Sequence, residues 1–523
     1  MATSKNLVIG LDSSTTSCKA IIWDTAGNLI AEGRSGIALE QPYPSWHEQP
    51  AEAWWQASVE ALQAVVSQVD KNRLAGLCIS PQRETFVPVD AQGRSLRKAI
   101  VWMDERSGPL LPKIAQEIDP KHIHQQTGKP LSGNLALPKI AWLKEREPDT
   151  FEKTYKYLDV AAYLNHCLTG VYATGWGCAD PLGLFDMQHN CWSAEILAFL
   201  EIDPAQLPEV FPAGTILGQV IAPAAELTGL PQGLPVVAGV GDGQAAGLGA
   251  NIIESGLAYV NLGTAVVSGT YTDSFCTDTA YRTMVGAVPG SYSLETVLLG
   301  GTYTITWFVE KIVKSLGDVF PSDVSTEEMF GRAAQNISPG ADGLMLVPYW
   351  NSAMNPYWDT AASGIVVGWR GFHTLEHLYR AILEGIGFEL RLHLQGVQSA
   401  LDMDIEKLIA MGGGTRSPLW CQIIANITGK PVYICQTVDA SALGAAMQAA
   451  YGVGLFADMP SAAKAMSHIN PTPFVPDTTL FDFYTQLYRQ VYHHLFPALQ
   501  PYLAELTRLN KGYEHHNAVK DDI

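Results

Sequence analysis

A buried-looking strand that runs into a turn of small hydroxyl or glycine residues, and out again into a second strand, occurs twice in this chain. Leu7-Val8-Ile9-Gly10-Leu11 leads into Asp12-Ser13-Ser14-Thr15-Thr16 and then into Lys19 to Trp23. Leu257-Ala258-Tyr259-Val260-Asn261-Leu262 leads into Gly263-Thr264 and then into Ala265-Val266-Val267. Such a repeat favours two lobes built on one plan. The length agrees: 523 residues exceed the ~250–300 at which a single core stops growing, and a 47% apolar composition fills two.

Between the two starts the pattern is mixed α/β. Thr25 to Asn28 turns the chain into a third strand, and Pro50 opens a helix whose apolar stripe is Trp55, Val59, Leu62, Val66 and Val69. Leu77–Ile79 and Val236–Val240 read as strands, and the stretches around Lys139–Lys144 and Val160–Leu168 as helices. Beyond the second start the spacing predicts a long helix over Leu375–Val397, a strand over Ile405–Met411, and a helix over Pro418–Thr428 ended by Gly429. Ser441–Tyr451 is a further helix, with the Ala and Gly content of a closely packed element. The division is therefore 1–250, 251–490, and a terminal helix with a frayed polar tail over 491–523.

With 33 Lys+Arg against 52 Asp+Glu, the net charge of −19 opposes nucleic acid and anionic lipid as partners. No apolar run reaches the ~18 residues of a membrane span. Met1 to Asn6 lacks the basic and apolar regions of a secretory signal, so the expected compartment is the cytoplasm. Eight cysteines without a Cys-x-x-Cys pair indicate neither zinc nor a disulfide framework.

Three strand-to-turn junctions suit phosphate contact, because small residues let backbone N–H groups approach an anion: Asp12 to Thr16, with Thr15 and Thr16 adding hydroxyls and Lys19 a cation; Gly263-Thr264; and Gly412-Gly413-Gly414. Gly128-Lys129 and Gly429-Lys430 lack the remainder of a P-loop, and Gly239-Val240-Gly241-Asp242-Gly243 does not complete a dinucleotide fingerprint. Asp242, between two glycines after a strand, projects from a tight turn as a base for a hydroxyl proton. Gln82-Arg83-Glu84 places an amide, a donor and an acceptor at a strand end, a set that matches polyol hydroxyls, and Trp102 with Asp104 adds an aromatic wall and a carboxylate.

In their order along the chain these motifs resemble the FGGY family of carbohydrate kinases. The match includes Gly10 to Ser17, Trp46-His47-Glu48-Gln49-Pro50, Gln82-Arg83-Glu84, Trp102 to Arg106, Gly241 to Ala246, Asn261 to Thr264, Pro356 to Asp359, and Gly412 to Ser417. The resemblance implies an α/β fold of two lobes of the actin, chaperone-ATPase and hexokinase type (ribonuclease H-like), with ATP and sugar in the central cleft. It also implies roles: Asp242 as catalytic base; Asp12, together with Asp242, for Mg²⁺; Thr15, Thr16, Lys19, Gly263, Thr264 and Gly301 near the nucleotide phosphates; Gly412, Gly413, Gly414 and Ser417 at the adenosine. Gln82, Arg83, Glu84, Trp102, Asp104 and Asp242 line the sugar pocket, and a homodimer is the expected assembly.

Some positions depart from the family pattern. Ser14 stands where glycine is usual, Gly243 stands where glycerol kinases have an amide, and Lys129-Pro130-Leu131 replaces their tyrosine. Xylulose kinases carry Gln-Met-His-Gly in place of Gln82-Arg83-Glu84-Thr85, although Trp46–Pro50 and Trp102–Arg106 look like theirs. The expected activity is phosphoryl transfer from Mg-ATP to a hydroxyl of a ketopentose such as xylulose, with glycerol or a tetritol as the alternative. A non-catalytic nucleotide-binding protein or sugar sensor on the same scaffold is the competing class.

Overall fold

The computed structural model describes residues 5–316, 325–350 and 352–521, with side chains up to 510 except at 316 and 326. The first sheet comprises β1 (Leu7–Ser13), β2 (Ser17–Asp24), β3 (Leu29–Gly36), β4 (Leu74–Pro81), β5 (Ile216–Gln219) and β6 (Pro235–Val237), in the order β5-β6-β4-β1-β2-β3. The second comprises β7 (Leu257–Leu262), β8 (Val266–Thr272), β9 (Arg282–Val285), β10 (Tyr292–Leu298), β11 (Lys407–Met411) and β12 (Val432–Ile434), in the order β9-β10-β8-β7-β11-β12.

The two sheets share a plan. In the first, β3, β2 and β1 form an antiparallel meander and β4 and β6 continue it in parallel. In the second, β10, β8 and β7 form the meander and β11 and β12 the parallel continuation. Parallel strands are covered on both faces and read as near-continuous apolar runs, which is why β1 and β7 stand out in the sequence.

Helix α1 (Ala51–Val66) covers one face of the first sheet. Its buried stripe is centred on Trp54, Ala61, Leu62 and Val65 rather than on Trp55, which is half-buried; Val69 lies beyond the helix end. The indole of Trp54 turns inward because Gln49 Oε1 accepts its N–H at 3.0 Å. The strand expected over Val236–Val240 is shorter, and the chain passes directly into helix α2 (Asp242–Gly249). After the short α3 (Thr302–Trp307) come α4 (Leu375–Leu401), α5 (Pro418–Thr428), closed by Gly429 at φ 70°, and α6 (Ala440–Gly452). Helix α4 and α5 pack on the second sheet.

Helices α2 and α6 form a layer between the sheets. Ala442, Ala445, Ala446 and Ala449 pack with Val8, Ile21 and Val237 of the first sheet, while Ala246, Ala250 and Ala440 pack with Tyr259 and Ile409 of the second. The layer is thin because glycines meet backbone: a Cβ on Gly10 would lie 1.8 Å from the Ala442 carbonyl oxygen, and one on Gly444 1.9 Å from that of Ala245. Helix α6, although in the second half of the chain, thus completes the core of the first sheet.

The terminal helix (His493–Asp521) places Phe496 in the second lobe's core, beside Tyr492, so the start of 491–523 belongs to that lobe. Its backbone remains helical to Asp521 rather than frayed. Among the described residues no helix is long and apolar enough to cross a membrane.

Candidate functional site

The expected phosphate-turn residues and Asp242 lie at or just past the ends of the parallel-paired strands β1, β6, β7 and β11. Asp12 lies on β1 opposite Lys19 of β2. Burial pushes its pKa up to about 7, Asp242 and Asp439 push in the same direction, and Lys19 and Arg34 oppose them. Its Oδ1 is buried without a hydrogen-bond partner. Such an orphaned acceptor, facing a second carboxylate, fits a hard cation with oxygen ligands. Lys19 donates to Asp439 at 2.5 Å, just before α6, so its charge is already paired.

Asp242 is the first residue of α2 rather than a residue of a free turn, and its side chain is 37% exposed. Arg83 Nε at 2.8 Å and the Gly243 N–H at 2.7 Å both fall on Oδ1. Burial raises its pKa; Arg83 opposes the rise, and Glu295 and Glu84 reinforce it.

A cavity of about 160 Å³ opens beside Asp242, lined by Thr15, Arg83, Glu84, Trp102, Asn134 and Arg282 among others. Trp102 forms a wall, its indole N–H donating to Thr15 Oγ1 at 3.0 Å, which places Thr15 at the cavity rather than among the phosphate turns. Beneath it, Lys139 is wholly buried and donates to the carbonyls of Val101, Trp102 and Asn134, tying two wall segments together. Burial pushes its pKa down to about 7.

Two expected sugar contacts are placed elsewhere. Gln82 is 3% exposed and donates to Gln49 Oε1 at 2.9 Å. Asp104 is held by Arg106 through Nε and Nη2 at 2.8 and 2.7 Å and accepts the His47 N–H, so no lone pair points to the cavity. Both belong to the support of the site, because a carboxylate saturated by a guanidinium and backbone donors has nothing left to offer a ligand.

Glu295 and Arg282, both from the second lobe, did not stand out among the motifs. Arg83 Nη1 donates to Glu295 Oε2 at 2.7 Å, and Arg282 donates to Glu295 Oε1 at 2.7 Å through Nε and to Glu84 through Nη1. Asp242, Arg83, Glu295, Arg282 and Glu84 thus form a ladder of alternating charge across the cleft. Burial alone would raise the pKa of Glu295, yet the two guanidiniums hold it down at about 2. Glu84 adopts φ 55°, a left-handed conformation rare outside glycine that concentrates at functional sites. The signal available in sequence was a lone charge in each of two otherwise apolar or neutral strand segments, Tyr281 to Val285 and Leu294 to Leu298.

On the second lobe, a cavity of about 660 Å³, in the range of cofactor sites, is lined by Thr302, Thr306, Gly413, Gly414, Arg416 and Ser417 among others. Gly412 turns the chain at φ 85°, where a Cβ would meet Asn261 Oδ1 at 2.4 Å, and Ser417 caps α5 through Oγ. Gly263 and Thr264 follow β7 directly, and their carbonyls accept the N–H groups of Thr302 and Tyr303. Gly301 precedes α3 and is packed against the Thr264 carbonyl, and Thr16 is exposed after β1.

Comparison with known proteins places the chain in a family. The N-terminal domain of the FGGY family of carbohydrate kinases matches residues 7–249, and its C-terminal domain residues 258–453. A xylulose kinase of Lactococcus lactis subsp. lactis (strain IL1403) is 30% identical over 492 residues, 93% of this chain and 96% of that one. A gluconokinase of Bacillus licheniformis is 27% identical over 455 residues, 86% and 88% of the two chains. The crystal structure of xylulose kinase from Rhodospirillum rubrum superposes with a TM-score of 0.87 at 28% identity, covering 95% of this chain and 99% of that one.

Proposed function

The chain belongs to the FGGY family of carbohydrate kinases and is an ATP-dependent sugar kinase; on that premise we propose that it transfers the γ-phosphoryl group of Mg-ATP to a hydroxyl of xylulose or a similar ketopentose, with Asp242 as base. The observation that carries this reading is the placement of Asp242: at the edge of the small cavity, partly exposed, with its two fixed contacts on Oδ1. That leaves Oδ2 to receive the hydroxyl proton, and the raised pKa makes the carboxylate a better acceptor.

Arg83 orients the base, Trp102 and Thr15 bound the sugar, and closing the lobes would exclude water from the transfer. Phosphoryl transfer asks of the protein mainly in-line positioning and charge stabilisation, which these groups supply. Asp12, with Asp242, would hold Mg²⁺, which when bound neutralises charge on the phosphates. The glycine turns at Gly263 and Gly412 to Gly414 would receive the nucleotide. The cytoplasm, where ATP is supplied, is the compartment this reading favours.

A second reading, transfer to glycerol or a tetritol, is favoured by the carboxylate–guanidinium ladder along a small cavity, which suits a short acceptor. ADP release measured with Mg-ATP against xylulose, ribulose, erythritol, glycerol and gluconate separates the two. Asp242→Asn should lower turnover of the accepted sugar by roughly 10²–10⁴-fold with nucleotide affinity kept. Normal turnover in that variant would remove Asp242 from the base role.

A further inference from the structure

The polar groups along the cavity come almost entirely from the first lobe: Thr15, Arg83, Glu84, Trp102, Asn134 and Asp242. To the same wall the second lobe brings the apolar Ala265, Val267, Val297, Leu299 and Met354, and one charged side chain, Arg282. Arg282 stands on β9 directly opposite Glu295 of β10, so the two side chains rise from one face of the sheet. Its side chain is 10% exposed and held by three contacts, Nε and Nη2 on Glu295 Oε1 and Nη1 on Glu84 Oε1. A guanidinium has five N–H donors. Two therefore remain on a rigid side chain that lines the cavity, at the Glu84 end of the ladder and away from the base.

We propose that Arg282 is a specificity-determining substrate contact: it donates to a hydroxyl of the acceptor remote from the one that Asp242 deprotonates, beside the acceptor oxygens of Glu84, and thereby restricts the acceptor to a neutral polyol or ketose. Charge carries the second half. The ladder has three carboxylates, Asp242, Glu295 and Glu84, against two guanidiniums, Arg83 and Arg282. The ladder is thus one negative charge in excess, and a substrate carboxylate accepting from the two free Arg282 donors would lie unneutralised against Glu84 and Glu295. A hydroxyl, by contrast, accepts from Arg282 and donates to Glu84 without breaking either pair. By this argument the chain differs in acceptor from its gluconokinase relative.

The inference rests on the kinase reading, and one experiment separates their failures. ADP release is measured for the wild type, Arg282→Met and Arg282→Lys with D-xylulose, erythritol and gluconate, and with the deoxy analogue of the better neutral acceptor that lacks the remote hydroxyl. The expected result is a neutral acceptor preferred over gluconate, with its KM raised roughly 10- to 100-fold in Arg282→Met and partly restored in Arg282→Lys, while the KM for ATP holds. The deoxy analogue should lose a similar factor on the wild type and little more on Arg282→Met, since one contact cannot be lost twice. Wild-type KM in both variants, additive losses, or gluconate as the best acceptor would overturn the inference while leaving the kinase reading intact. No sugar-dependent ADP release from the wild type would remove both. Should Arg282→Met fail to fold, Arg282→Lys with the deoxy analogue gives the same decision.

Discussion

The position of Asp12 gives its titration a definite direction. Its folded pKa of about 7 lies above the ordinary carboxylate value of 3.8, so the folded state without ligand binds a proton that the unfolded chain releases. The linkage has a definite sign: the contribution to stability is fully present below about pH 4 and is lost as pH rises through about 7. The ligand-free protein should therefore gain in relative melting temperature between pH 7.5 and 5.5, and Asp12→Asn should flatten that gain. Mg-ADP should reverse the trend, because the cation favours the ionised form. Thermal melts at the two pH values, with and without Mg-ADP, check it; an unchanged slope in Asp12→Asn would remove Asp12 as its source. Asp242 was legible from its flanking glycines, and Arg83 and Glu84 from their place at a strand end. Arg282 and Glu295 were not, because a single charge in a strand announces burial without naming its partner. Asp104 misled for the same reason, since its nearest guanidinium, Arg106, lies two residues on and takes both oxygens.

Elements were easier to read than their neighbours. The limits of α5 and its glycine stop follow from local chemistry, and so they appear in the sequence with the right ends. The Ala and Gly content of α6 announced close packing but could not say against what. Its partners are β1 and α2, where Gly10 and Gly444 remove the side chains that would hold the backbones apart. Gly444→Ala should cost about 1–3 kcal/mol by overpacking. It should also lower kcat, because the Ala245 carbonyl it would push lies one turn from Asp242 on α2. Urea denaturation and steady-state kinetics on the same sample test both; full activity at reduced stability would show that α2 yields without moving the base.

At the scale of the molecule, the repeated strand-turn-strand start does correspond to two sheets with the same strand plan. The cleft between them is bridged by the Arg83–Glu295 and Arg282–Glu84 pairs, and in a kinase of this family we expect the lobes to close about them when sugar and nucleotide bind. Sugar together with a non-hydrolysable ATP analogue should therefore reduce the radius of gyration in small-angle scattering more than either alone. An unchanged radius would mean that the lobes already stand closed. None of this bridging was legible beforehand, since each pair joins residues about 200 positions apart and is specified by the fold, not by local spacing.

The return of α6 to the first sheet also sets a schedule for the chain's synthesis. Strands β1, β2 and β4 leave the ribosome early, yet the helix that covers their second face is translated some 200 residues after α2, roughly 10–40 s later at ordinary elongation rates. During that interval Val8, Ile21 and Val237 lack the α6 alanines that pack on them. A holdase that recognises apolar strands is needed most in that interval, and a premature stop codon before Ala440 would leave a product that is permanently in that state.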